Sequence, residues 1–310
     1  MKRTIAIVCG GDSSEHDVSL RSAQGLYSFF DKERYNIYIV DIKGTDWHVN
    51  LDNGHTAPIN KNDFSFNNNG QTIFFDYAYI TIHGRPGENG IMQGYFELVN
   101  IPYSTCDVLA SALTFDKFVL NRYLKSYSIH VSESILLRIG DAYNEKEIAE
   151  KIGMPCFVKP ATDGSKAFME SSEVMVESFL DGVEITQGIY KTKEKSVPFP
   201  ITEVVTSNEF FDYNAKYNGE VDEITPARIS KELAEKVTEV TSHIYDILHA
   251  NGIIRIDYII TKDNNGNDVI NMLEVNTTPG MTVTSFVPQQ VKAAGLDIKD
   301  VLSDIVENQF

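Results

Sequence analysis

Cysteine is scarce in this chain. Cys9, Cys106 and Cys156 are its only three, widely spaced and without a CxxC pair. An odd, scattered set argues against a disulfide framework and fits reduced thiols in the cytoplasm. Long apolar runs are missing too, so no stretch reaches the length of a membrane span. Ile5-Ala-Ile-Val8 is too short for the apolar region of a signal peptide, and Gly-Gly-Asp follows it. Positive charge is in short supply: 27 Lys and Arg face 44 Asp and Glu, a net charge of −17. That balance argues against nucleic acid or an anionic membrane as partner. Phosphates can still be bound, provided that a few cations gather in one place. There are no internal repeats and no low-complexity tracts. With 310 residues the chain has room for two or three domains and a substantial core.

What is present begins with a buried-type strand, Thr4-Ile-Ala-Ile-Val-Cys9, ending at Gly10-Gly11. Asp12-Ser13-Ser14 can cap a helix over about Glu15 to Phe30, and Tyr35 to Asp41 reads as the second strand. Strand, glycine turn and helix predict a doubly wound α/β opening. The turn lacks the third glycine of a dinucleotide fingerprint, so NAD is not expected. Residues 43 to 71 are polar and read as loops and short strands. Tyr77 to Ile82 reads as a strand running into His83-Gly-Arg-Pro-Gly-Glu-Asn-Gly90, followed by a helix from Ile91 to Leu98. Two polar loops at strand ends are either a ligand crevice or merely tight turns. Ser111 to Tyr123 reads as a helix carrying Asp116-Lys117, and Phe157-Val-Lys-Pro160 as a short strand carrying Lys159. Val174 to Leu180 and Ile201 to Val205 read as strands, Phe210 to Tyr217 as an aromatic loop, Lys231 to Ala250 as a helix, and Val287 to Glu307 as two short helices.

The chemistry gathers near the C-terminus. Ile253 to Ile260 and Val269 to Val275 read as strands joined by the Asn- and Gly-rich Lys262 to Asn267. Alternation can bring Asp257, Glu274 and Asn276 to one face. Two carboxylates and an amide oxygen suit Mg²⁺, which completes its shell with substrate phosphates. The same residues would also make an ordinary solvated polar face.

Seven motifs in order carry a resemblance: Gly10-Gly-Asp-Ser-Ser-Glu-His-Asp-Val-Ser19, His83 to Gly90, Asp116-Lys117, Val158-Lys-Pro160, Asp212-Tyr-Asn-Ala-Lys-Tyr217, Arg255-Ile-Asp257 and Leu273 to Met281. Together they resemble the D-alanine–D-alanine ligases of the ATP-grasp superfamily over essentially the whole chain. The resemblance implies α/β and α+β architecture: an N-terminal doubly wound parallel-sheet domain (1-105), then a two-part ATP-grasp fold, central (106-180) and C-terminal catalytic (181-310). It implies ATP-dependent synthesis of D-alanyl-D-alanine through an acyl phosphate, for peptidoglycan precursor and cell-wall synthesis. The expected cofactors are ATP and two Mg²⁺ (or Mn²⁺) ions. The expected setting is a cytoplasmic homodimer with no nucleic-acid or membrane partner.

Carried over residue by residue, the resemblance assigns the metal to Asp257, Glu274 and Asn276. Lys117, Lys159 and Lys216 would hold phosphates. Glu177, Ser178, Phe179 and Leu180 would line the adenine pocket, and Glu184 would take the ribose. Glu15 would bind the first D-alanine's ammonium, with His83 beside it. Arg255 and the Gly280 N–H would form the oxyanion hole, where losing one donor typically costs ~10²–10³ in rate. Ser285 would receive the second D-alanine's carboxylate, with Phe286 standing where Leu is commoner. Ser165, Tyr217 and Glu15 would form a closing hydrogen-bond link.

Two departures stand out. Arg85 replaces a small residue and is expected to be exposed. Gly164-Ser165 passes straight into Lys166-Ala-Phe-Met-Glu170, so about half of the family's phosphate-covering segment is missing. The expectation is that the protein as made carries a lid of roughly 15–20 further residues there. A D-alanine–D-lactate ligase, or a nucleotide-binding protein with dead catalysis, is the alternative. Tyr217 in place of His speaks against the first, and intact Asp257, Glu274, Asn276, Arg255 and Glu15 against the second.

Overall fold

Five consecutive residues with no exposed surface, Ile5 to Cys9, mark the centre of the first strand. A strand apolar on both faces needs cover on both. β1 (Arg3–Gly10) accordingly lies between β2 (Tyr35–Lys43) and β7 (Tyr77–Ile80), parallel to both. α1 (His16–Phe29) connects β1 to β2. The structure, a computed structural model, describes residues 2–51, 54–162, 173–206 and 221–310.

The doubly wound expectation holds for those three strands only. The polar stretch after β2 adds β3 (Asp46–Asn50), β4 (Thr56–Asn60), β5 (Ser65–Asn68) and β6 (Gln71–Ile73) to the same sheet as an antiparallel meander. The order is β6-β5-β4-β3-β2-β1-β7. Aromatic residues hold the meander in place despite its polar composition. Trp47 packs edge-on against Tyr95, and Phe64 against Phe96, the partners lying on α2 (Ile91–Leu98).

Next come α3 (Val108–Phe115) and α4 (Lys117–Lys125) where the sequence predicts one helix. Asp116 is extended between them, with φ −94° and ψ 102°. Its carboxylate accepts the Val119 N–H at 3.0 Å, so the residue ends one helix and caps the next. β8 (Ser134–Arg138), β9 (Cys156–Pro160) and β10 (Glu173–Ser178) form a small antiparallel sheet in the order β8-β10-β9, with α5 (Glu145–Ile152) beside it.

The third sheet is antiparallel, ordered β14-β13-β11-β15-β16, with β12 on β11. Its strands are β11 (Val183–Lys191), β12 (Ser196–Pro198), β13 (Thr202–Thr206), β14 (Val221–Ile224), β15 (Ile253–Lys262) and β16 (Asp268–Asn276). α6 (Lys231–Ile247) packs on it through Leu233, Val237 and Ile244. α7 (Phe286–Ala293) and α8 (Ile298–Glu307) turn back to the first sheet. Val287, Val301, Leu302 and Ile305 share one apolar core with Ile5, Ile7, Tyr77 and Tyr79. The chain's two ends are therefore packed together, which sets the N-terminal loops against the end of β16.

Candidate active site

On β15 and β16, Asp257 pairs directly with Glu274 and Arg255 with Asn276, in an antiparallel register with a bulge after Asp257. That register turns all four side chains to one face. The Asn276 amide nitrogen lies 3.2 Å from Asp257 Oδ2 and 3.4 Å from Glu274 Oε1, so the expected trio converges.

The carboxylates already have cations. Arg255 grips Asp257 with two bonds, Nε to Oδ1 at 2.9 Å and an Nη to Oδ2 at 2.8 Å. Thr186 on β11 donates to the same Oδ1 at 2.5 Å. Lys117 Nζ stands 3.4 Å from Glu274 Oε2. Burial works to lower the pKa values of Arg255 and Lys117, but Asp257 and Glu274 respectively outweigh it, and both net shifts are upward. Both cations stay charged. Among the described residues no group of three or more His, Cys, Asp or Glu is placed to hold a metal ion. The third donor here is an amide. Two carboxylates and an amide oxygen still make a donor set suited to a hard dication, which takes one or two carboxylates and fills its shell with phosphate and water.

Lys117 opens α4, and its N–H bonds Ala161 C=O at 2.9 Å, which ties it to the end of β9. Lys159 on β9 pairs with Glu177 on β10 at 2.5 Å, with the Glu177 side chain only 5 % exposed. The Ser178 N–H bonds Glu133 C=O at 2.9 Å, and its C=O accepts Ser132 Oγ at 2.8 Å. Its backbone is thus committed, which leaves Phe179 and Leu180 to offer main-chain groups. Phe179 is exposed and pairs with Phe157, ring centroids 5.8 Å apart. Glu184 lies on β11, partly buried, paired with Ile259 on β15.

The two N-terminal loops are bonded to each other. Ser13 Oγ donates to His83 C=O at 2.8 Å, and the Asp12 N–H to Arg85 C=O at 3.1 Å. Glu15 is the residue before α1. His83 Nε2 lies 3.3 Å from Ser22 Oγ. Arg85 is exposed, as expected. Glu88, quoted in the motif but given no role, accepts the Gly84 N–H at 2.7 Å and Thr278 Oγ1 at 2.6 Å. Burial pushes its carboxyl up, against the pull of His83. Nothing local in the sequence pairs Glu88 with Thr278. The only signal is a carboxylate in a glycine-rich loop.

Ser285 precedes α7, and its Oγ accepts the Thr282 N–H at 3.1 Å. A side chain on Gly280 would meet that Oγ at 2.9 Å, so a glycine fits the tight loop there. Phe286 lies under Arg255, 5.2 Å from ring centre to guanidinium. α7 is pinned by the buried Gln290, which accepts the Gly188 N–H at 2.9 Å and donates to Thr186 C=O at 3.0 Å. Ser165, Lys216 and Tyr217, with the junction at 165–166 and the aromatic loop, lie outside the described residues.

Comparison with known proteins shows which family the chain resembles. Residues 4–106 match the family described as D-ala D-ala ligase N-terminus, and residues 165–307 the D-ala D-ala ligase C-terminus. The D-alanine--D-alanine ligase of Bacteroides fragilis is 60% identical over 328 residues, covering 100% of both chains. That of Phocaeicola vulgatus is 61% identical, also over 100% of both. The alignment runs over 328 positions against 310 residues here, so part of the relatives has no counterpart in this chain. Among solved structures, the VanG D-Ala:D-Ser ligase from Enterococcus faecalis superposes with a TM-score of 0.84 at 28% identity, covering 100% of each chain. The Bacillus anthracis D-alanine--D-alanine ligase complexed with ATP has a TM-score of 0.76 at 27% identity, covering 99% of this chain and 97% of that one.

Proposed function

The chain belongs to the D-alanine–D-alanine ligase family, and we propose that it joins two D-alanines by way of an acyl phosphate, with its residues dividing the work as follows. ATP is the phosphoryl donor. The second and third sheets act as the two halves of an ATP-grasp fold, over residues 106–180 and 181–310, behind an N-terminal domain of residues 1–105. The product serves peptidoglycan precursor synthesis. The working form is a cytoplasmic homodimer.

A carboxylate oxygen of the first D-alanine attacks the γ-phosphorus, and the bond from that phosphorus to the β-phosphate bridge breaks. The amine of the second D-alanine then attacks the acyl carbon. Phosphate leaves, carrying the attacking carboxylate oxygen. Two anions must meet for the first step, so positioned positive charge is the main requirement. Lys117, Lys159 and Lys216 supply it to the phosphates as point charges. Asp257, Glu274 and Asn276 would hold Mg²⁺, which would offset charge on the triphosphate. Glu15, with His83 beside it, receives the first ammonium, and Ser285 the second carboxylate, next to Phe286. Arg255 and the Gly280 N–H face the tetrahedral oxyanion. Glu184 takes the ribose, and Glu177 to Leu180 border the adenine. Ser165 and Tyr217 close the site with Glu15.

The observation that carries this reading is the convergence of Asp257, Glu274 and Asn276 on one face, with Arg255 and Lys117 already on the carboxylates. Arg255 and Lys117 thus already stand beside the carboxylates that would hold the metal, whose charge a bound dication would also offset. Phosphate release by the purified protein with ATP and Mg²⁺ tests the reading. D-alanine should stimulate it well above the rate without amino acid, and more than D-lactate does. Equal release with and without D-alanine would contradict it.

A further inference from the structure

The loop after β16, Thr277 to Met281, carries the proposed oxyanion donor Gly280, yet no regular secondary structure holds it. The N-terminal domain holds it instead, at two points. At one, Thr278 Oγ1 donates to Glu88 Oε1 at 2.6 Å, across 190 positions of chain. The other oxygen of Glu88 accepts the Gly84 N–H at 2.7 Å. At the second point, α1 presses on Met281. A side chain on Gly25 would lie 2.3 Å from the Met281 carbonyl oxygen, and Ser22 Oγ lies 3.5 Å from the Met281 N–H. Thr277 and Thr278 are each 3% exposed, so water does not compete well for these bonds.

We propose that Glu88 is a positioning residue: its carboxylate clamps Thr278 to the His83–Gly90 loop and so fixes where the Gly280 N–H points. The role of Gly280 rests on the functional reading above; the clamp itself does not. Glu88 receives two donors, a backbone N–H and a hydroxyl, one on each oxygen. An acceptor on both arms is what the geometry asks for. A Gln can nearly replace it: the amide oxygen takes the Gly84 N–H, and the amide NH₂ donates to Thr278, whose hydroxyl can accept as well as donate. Ala can satisfy neither, and Thr278→Val keeps the shape of Thr278 while removing the hydroxyl.

Two measurements on Glu88→Ala, Glu88→Gln, Thr278→Val and the Glu88→Ala/Thr278→Val double variant test the proposal. The first is thermal melting. The clamp predicts that the double variant melts no lower than the worse single variant, because the two singles break one interaction. Additive shifts would overturn it, and this readout needs no turnover. The second is steady-state kinetics with D-alanine and ATP. A loop displaced by a fraction of an ångström predicts that Glu88→Ala and Thr278→Val each lose kcat by on the order of 10- to 100-fold. KM for ATP should stay unchanged and Glu88→Gln should lie close to wild type. If Thr278→Val melts lower but turns over at the wild-type rate, the bond is structural only and the positioning role falls. If Glu88→Gln fails as badly as Glu88→Ala, with KM for D-alanine raised, Glu88 acts by its charge on substrate and the clamp is wrong. A wild-type protein without D-alanine-dependent turnover would refute the functional reading instead, leaving the melting result to decide the clamp.

Discussion

Neither oxygen of Asp257 lacks a partner. Arg255 holds both, Thr186 one and Asn276 the other. The sequence made this cluster legible because alternation along two strands fixes which side chains share a face. Its neutralisation by Arg255 and Lys117 was not legible, since Lys117 comes from a helix far away in the chain. The difference alters what substitution does. Asp257→Asn or Glu274→Gln should cut kcat/KM at least 10²-fold, because each removes a charge from the shell that offsets the triphosphate. Asp257→Asn should also lower stability, because it strips the partly buried Arg255 of its counter-ion; breaking a fully buried pair costs about 3–5 kcal/mol, and this partly exposed one should cost less. Wild-type rates at ordinary Mg²⁺ in either variant would remove the metal assignment.

A second residue gives stability a pH dependence. Glu203 on β13 accepts both Nε and Nη of Arg228, at 2.8 and 2.7 Å, and the Arg228 N–H at 3.1 Å. The guanidinium holds its carboxyl below the usual range, against a smaller opposing effect of burial. A carboxyl with a depressed folded pKa stabilises above its unfolded value of about 4.3 and loses that contribution as pH falls through the folded value. Urea midpoints of wild type and Glu203→Gln should therefore differ at neutral pH and draw together as the pH falls below the usual carboxylate range. An equal gap at neutral and at acid pH would show that the pair's charge contributes nothing.

At the scale of elements, the strands that carry the site were legible and their surroundings less so. β15 and β16 are long β-branched runs with an Asn-Gly turn between them. The helix around Lys117 was read as one element because its apolar spacing runs on from Leu113 to Leu120. Only the extended backbone and the capping bond of Asp116 divide it, and both are tertiary outcomes. The meander of residues 46–73 read only as loops and short strands, because its polar faces hide an aromatic side that matters only once α2 is packed against it. The expected phosphate-covering lid lies outside the described residues, and the C-terminal family match begins at residue 165. The intact mass of the protein isolated from its own source should accordingly exceed 34.8 kDa by a segment of about 15–20 residues, a common lid length. A mass of 34.8 kDa would refute the expected segment and favour a nucleotide-binding protein with dead catalysis.

Across the whole molecule, the two ends of the chain build the site together. The first sheet and the last two helices share one core. That shared core lets loops at residues 10–15 and 83–90 meet the end of β16. The residues proposed for the substrate amine, the oxyanion and the metal then come from opposite ends of the sequence, which is why seven short motifs spread over the chain were needed to recognise one site. The account turns on the carboxylate of the first D-alanine attacking ATP directly. Turnover with D-alanine labelled with ¹⁸O in its carboxylate, followed by mass analysis of the phosphate released, tests that most directly. The account predicts one labelled oxygen in each phosphate, formed together with D-alanyl-D-alanine and ADP. Unlabelled phosphate, its new oxygen drawn from water and no dipeptide formed, would contradict it.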